Sequence, residues 1–360
     1  MEPLKEMFNH EFYRHFSYAF GEADENFSAD AFFTDVTRGM EGLSLNGRLR
    51  NTSLVLRKHL PGDYKKAVDI LYTAAPALRS GYTALVLPDF VALYGKGHFD
   101  LSMEALRYFT TLGSAEFAIR EFLKTDLAKT LDVMHKWADD KNPHVRRLAS
   151  EGSRPRLPWS FKLEEIIKQP SLTRGILEKL NADEELYVRK SVANHLNDHS
   201  KDNTAYMLQL VKSWDKQHKH TAWIIKHAVR TLIKKGNEEA LMIFGFGNDA
   251  RVQLSDLAID KTDLHLGDSL QFSFGLVSEG ADPQKLVIDY AVHYAKASGS
   301  NSRKVFKLKE VTLLPGEQIA VSKKQLFQDL TTRKHYSGKH VLEILVNGKV
   351  LGSTGFNLSV

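Results

Sequence analysis

The 360-residue chain contains no cysteine. That excludes a disulfide framework, a cysteine nucleophile and any thiolate zinc site. No stretch approaches the eighteen or so consecutive apolar residues that a membrane-spanning helix needs. The opening residues, MEPLKEMFNHEFYRHF, interleave acids and histidines and lack the apolar core of a secretory leader, so a cytoplasmic protein is expected. Proline is scarce, ten residues in all, yet Pro155 and Pro158 fall within four residues of each other. What is present, 42% hydrophobic and 26% charged residues, describes a globular chain long enough for two cores.

Charge is unevenly placed. Residues 1–141 hold 17 Lys/Arg against 20 Asp/Glu, whereas residues 142–235 hold 18 against 10. A basic surplus of eight in about a quarter of the chain suits an anionic partner, with nucleic acid first in line. A solvated basic face is the alternative.

The apolar period changes once. Up to about residue 245 segments such as LSMEALRYFTTL, SAEFAIREFLKT and HTAWIIKHAVRTLIKK place apolar residues three or four apart, as helices do. After about residue 262, SLQFSFGLV, KLVIDYAVHYAK, RKVFKLKEVTLL and HVLEILVNGKVLGS alternate with period two, divided by turns such as LPGE and VNGK. The expected fold is a HEAT-like α-solenoid followed by an antiparallel immunoglobulin-like β-sandwich, with domains at 1–255 and 256–360. The solenoid expectation rests on VRRLASEG, VRKSVANHL and IKHAVRTLI, which begin at Val145, Val188 and Ile225, 43 and 37 residues apart.

The stretch NPHVRRLASEGSRPRLPW, residues 142–159, starts as a helix and is stopped by Gly152, Pro155 and Pro158. It gathers Arg146, Arg147, Glu151, Arg154, Arg156 and Trp159. This run resembles the signature of AlkC-type DNA glycosylases of the AlkD-like HEAT-repeat superfamily, and VRKSVANHLNDHSKDN, residues 188–203, resembles the second signature of that family. The likeness spans the α half; the β half resembles the immunoglobulin-like appendix of some members.

The resemblance implies a monofunctional DNA-repair hydrolase that cleaves the N-glycosidic bond of cationic alkylated bases, N3-methyladenine and N3-methylcytosine, in duplex DNA. It implies no cofactor and no metal, and a monomer is expected. An N3-alkylated base is already a good leaving group, so the protein has only to stabilise positive charge on the sugar, which a carboxylate does. Carried over from the motifs, Glu151, Asp198 and Glu116 are the candidate acids and Trp159 the aromatic that meets the cationic base. The competing readings are structural. Glu151 pairs with Arg147 one turn earlier, Asp198 is a helix-end turn residue, and Glu116 sits at a helix start behind Ser114 with Arg120 four residues on. Arg147, Arg154, Arg156, Lys201, Lys226 and Arg230 are the expected DNA contacts. The lysines of the β half either embrace the duplex or belong to a passive module. Two rival functions use the same sequence: an inert HEAT-repeat DNA-binding module and a protein-interaction scaffold.

Overall fold

The computed structural model describes residues 3–247, 250–330 and 334–360, which form two compact units, Met1–Ala228 and Val229–Val360. The first unit is helical. Several of its helices start where the sequence supplies a short polar side chain. Asn9, Ser28, Ser44, Asp63, Asp126 and Asn142 each accept a hydrogen bond from a main-chain N–H of the first turn. At Pro143–Gly152 the proline occupies the first turn, where its missing N–H costs no helical bond.

That helix buries Val145, Leu148, Ala149 and Gly152. Gly152 is required by packing: a Cβ there would stand 2.4 Å from Ile119 Cγ2 of the Glu116–Thr125 helix. The three helices that carry the sequence repeat, Pro143–Gly152, Leu186–Asp202 and Lys219–Ala228, pack in series, the first on the second and the second on the third. The middle one is longer than its motif suggests. The sequence places Asp198 at a helix exit, but the helix continues another turn to Asp202, because Leu196 and the buried side chains of 197–200 hold that turn inside the unit.

In the second unit, helices Arg230–Lys234 and Glu238–Ile243 precede, among the described residues, eight strands. The sequence reading runs the helical half on to residue 255. Packing instead puts 229–247 with the strands, as Leu241 and Phe246 bury against Val287, and Lys285 Nζ donates to the Phe244 carbonyl (2.8 Å). The strands are β1 (Val252–Ile259), β2 (Asp263–His265), β3 (Ser269–Ser278), β4 (Gln284–Ala295), β5 (Asn301–Leu313), β6 (Gln318–Leu326), β7 (Gly338–Val346) and β8 (Lys349–Ser359). They form one sheet ordered β1-β3-β6 and another ordered β2-β8-β7-β4-β5. Pairing is antiparallel except that β2 runs parallel to β8, so the second sheet is mixed rather than purely antiparallel. The VNGK turn joins β7 to β8, with Asn347 and Gly348 both at positive φ (47° and 78°), as the two-residue hairpin demands. β4 loses the expected alternation and is buried residue after residue from Leu286 to Val292. One of its faces meets the sandwich core of Phe272, Tyr290 and Ile344, and Val287 on the other meets the preceding helices.

Candidate active site

Beyond Gly152 the chain leaves the helix in an irregular loop, and Arg154 turns back under it. Its Nη1 donates to Glu151 Oε1 (2.7 Å) and its Nε donates to Asp198 Oδ2 (2.8 Å). Two acids from neighbouring helices, 47 positions apart in sequence, therefore converge on one guanidinium. Lys201 Nζ takes the other oxygen of Asp198 (3.0 Å). On the opposite side Arg147 donates to Ser114 and to both oxygens of Glu116 (2.9 and 3.3 Å), and its Nη2 stands 3.6 Å from Glu151 Oε1. The result is an alternating row, Glu116–Arg147–Glu151–Arg154–Asp198–Lys201. Burial alone would lower the guanidinium pKa of Arg147 and Arg154. The flanking carboxylates outweigh it and raise both guanidinium pKa values above the ordinary one. The Arg147 guanidinium also lies 4.9 Å from the Tyr187 ring centroid.

Glu116, Glu151 and Arg154 open onto a cleft of about 480 Å³ that is also lined by His144, Trp159 and Tyr187. Asp198 is 1% exposed and lies behind Arg154, outside that lining. Trp159 follows Pro158 with φ at 64° and is 91% exposed. A left-handed conformation for an aromatic residue costs about 1–2 kcal/mol, and here nothing is gained for the core, since the indole projects into solvent at the cleft rim.

The structure thus brings Glu116, Glu151, Trp159 and Arg154 to one cleft, with Arg147 bonded to Glu116 beside it and Asp198 and Lys201 behind Arg154. The arginines are used differently from the sequence expectation. Arg147 and Arg154 turn their donors onto carboxylates rather than outward to phosphates, and Arg156 makes a two-pronged pair with Asp202 (2.5 and 2.5 Å). That pair lowers the Asp202 carboxyl below its usual range. The expected Glu116–Arg120 pair and the Ser114 cap do not form: Glu116 meets Arg147, and Ala115 begins the helix without a side-chain bond. Lys226 lies exposed on the Lys219–Ala228 helix, and Arg230 lies exposed at the head of Arg230–Lys234 in the second unit.

Sequence reasoning passed over Arg120, Tyr187 and the pair His195 and His199. His195 Nδ1 hydrogen-bonds the Ser150 carbonyl (3.0 Å), one residue before Glu151. Burial pushes its pKa far down and brings that of His199 to about 4 against the pull of Asp198, so both rings are neutral. Their spacing of four was the available signal. Among the described residues no group of three or more His, Asp or Glu is placed to hold a metal ion.

Residues 105–232 match the family described as DNA alkylation repair enzyme, and residues 253–360 match the C-terminal Ig-like domain of the uncharacterised protein YhaZ. The uncharacterised protein YhaZ of Bacillus subtilis (strain 168) is 41% identical over 359 residues, 99% of this chain and 100% of that one. The solved structure of the Pseudomonas fluorescens alkylpurine DNA glycosylase AlkC, bound to DNA containing an abasic site analog, is 48% identical across the whole of both chains with a TM-score of 0.96. The chain belongs to the AlkC family of DNA alkylation repair enzymes. Its helical part followed by an Ig-like β part is the architecture of that family. Among the described residues no helix is long and apolar enough to cross a membrane.

Proposed function

We propose that the protein is a monofunctional, monomeric cytoplasmic DNA glycosylase that hydrolyses the N-glycosidic bond of N3-methyladenine and N3-methylcytosine in duplex DNA. The observation that carries this reading is the single guanidinium shared by Glu151 and Asp198 at the wall of a cleft. The name borne by the Pseudomonas fluorescens relative supports it.

As the C1′–N bond breaks, its electron pair leaves with the cationic base, which becomes neutral, and positive charge develops on the deoxyribose. Glu151, at the cleft wall, faces that charge, and Asp198 adds to the field from behind through Arg154. Glu116 extends the negative wall. Water attacks C1′ and passes its proton to a carboxylate. Trp159 lies over the base edge, where a cation favours an aromatic face, and the sugar is reached without a deep base pocket. Arg147 and Arg154 hold the acids in place, Arg156 and Lys201 are engaged by Asp202 and Asp198, and the exposed Lys226 and Arg230 grip phosphates. Carboxylates and water suffice for the hydrolysis, so no lysine nucleophile is required and no Schiff base is expected.

Chromatography of bases released from methylated duplex tests the reading. Wild type is expected to release N3-methyladenine, Glu151→Gln and Asp198→Asn far less, and borohydride to trap no covalent complex. Equal release by all three removes the carboxylate assignment. No release by the wild type leaves a DNA-binding module.

A further inference from the structure

Arg120 lies on the Glu116–Thr125 helix with no exposed surface at all. Its hydrogen bonds go not to a carboxylate but to the loop that follows Gly152. Nη1 donates to the carbonyls of Gly152 (3.1 Å) and Arg154 (2.6 Å), Nη2 donates to the Phe161 carbonyl, and Nε donates to Ser160 Oγ (2.9 Å). The guanidinium carbon also stands 5.2 Å from the Phe161 ring centroid. These partners bracket the loop. Gly152 and Arg154 are where it leaves the helix and delivers the guanidinium that joins Glu151 to Asp198; Ser160 and Phe161 follow immediately on Trp159. We infer that Arg120 is a positioning residue whose planar fork fixes both limbs of this loop, setting Arg154 against the two acids and Trp159 at the cleft rim.

The chemistry calls for arginine. Three main-chain carbonyls converge on the guanidinium, those of Gly152 and Arg154 buried and that of Phe161 partly so, and a buried one left unpaired carries a desolvation cost. Five donors in one rigid plane satisfy them together, whereas an ammonium concentrates three donors at one point and cannot span both limbs. The cation is held at a cost. Burial, with Arg154 nearby, brings its pKa down to about 10, which an ordinary packing residue would avoid. The strained, outward Trp159 is the feature such a clamp maintains.

The inference rests on the glycosylase reading for its kinetic arm, and a spectroscopic arm stands apart from it. Single-turnover base release is measured for Arg120→Lys and Arg120→Ala, with melting temperature and duplex Kd. Iodide quenching of Trp159 is isolated by subtracting the same measurements on Trp159→Phe proteins. Release is expected to fall about 100-fold, as for an ångström-scale misplacement, with Kd changed less than about threefold. Millimolar guanidinium should recover about tenfold in Arg120→Ala but not in Arg120→Lys, sodium chloride of equal ionic strength should not, and Trp159 quenching should change in both variants. Release and quenching equal to wild type overturn the inference, as does a loss that follows melting temperature and ignores guanidinium. Should Arg120→Ala fail to fold, Arg120→Lys decides. If wild type itself releases no base, the quenching result alone decides.

Discussion

Replacing Arg154 with methionine keeps the volume but removes the cation between two buried carboxylates. Breaking a buried ion pair from one side costs about 3–5 kcal/mol. Here each acid retains a second cation, Arg147 at 3.6 Å from Glu151 and Lys201 at 3.0 Å from Asp198, which places the expected loss at the low end, about 3 kcal/mol. For a helical unit of this size that is a fall of about 6–12 °C in melting temperature. Differential scanning calorimetry of Arg154→Met, Asp198→Asn and the double variant at pH 8 measures it. The double variant should be more stable than the two single losses predict, by about 1–3 kcal/mol. A Tm within a degree of wild type, with weakened DNA binding alone, would show that Arg154 is a phosphate contact and refute the shared-guanidinium account.

Three further outcomes are expected. Trp159→Ala should leave thermal stability unchanged, because the indole is exposed, while base release falls by about 30-fold if a desolvated cation–aromatic contact of about 2 kcal/mol is lost. Because the buried His199 ring binds its proton only near pH 4 in the folded state and near 6.5 unfolded, stability is unaffected above pH 6.5 and lost as pH falls toward 4. Urea titrations should show about 2 kcal/mol lost between pH 7 and 5 through this ring, an amount that His199→Gln removes. Lys226→Gln should weaken binding of all duplexes alike and reduce the slope of log K against log salt by about one, as read by fluorescence anisotropy.

The two-part architecture was legible because the apolar period changes only once, near the start of the strands, and the VNGK hairpin announced its own geometry. Less legible were β1, whose RVQLSD sequence reads as a junction, and the parallel β2, whose three residues pair with a strand about ninety positions on. The helices at 230–243 carry a helical pattern that says nothing of which core they join. In the site, the likeness of two short runs, 142–159 and 188–203, to the family's motifs supplied Glu151, Trp159 and Asp198 as candidates, while Glu116 lies on neither run and came from the resemblance alone. The use of each arginine was not readable. Arg147 finds Glu116 31 positions away and Arg154 finds Asp198 44 away, whereas local spacing suggested Arg120 for Glu116 and left Arg154 facing solvent. The actual partners of Arg120 were unreadable for a simpler reason: they are mostly main-chain carbonyls, and every residue has one.

The account depends on negative charge held where the sugar becomes positive. The direct test compares the Kd of duplexes carrying a cationic pyrrolidine abasic analogue with those carrying a neutral tetrahydrofuran one. Wild type should prefer the cation by about 100-fold, in the range of transition-state mimics, and Glu151→Gln and Asp198→Asn should each lose most of that preference while binding the neutral duplex unchanged. A preference that survives both substitutions would contradict it.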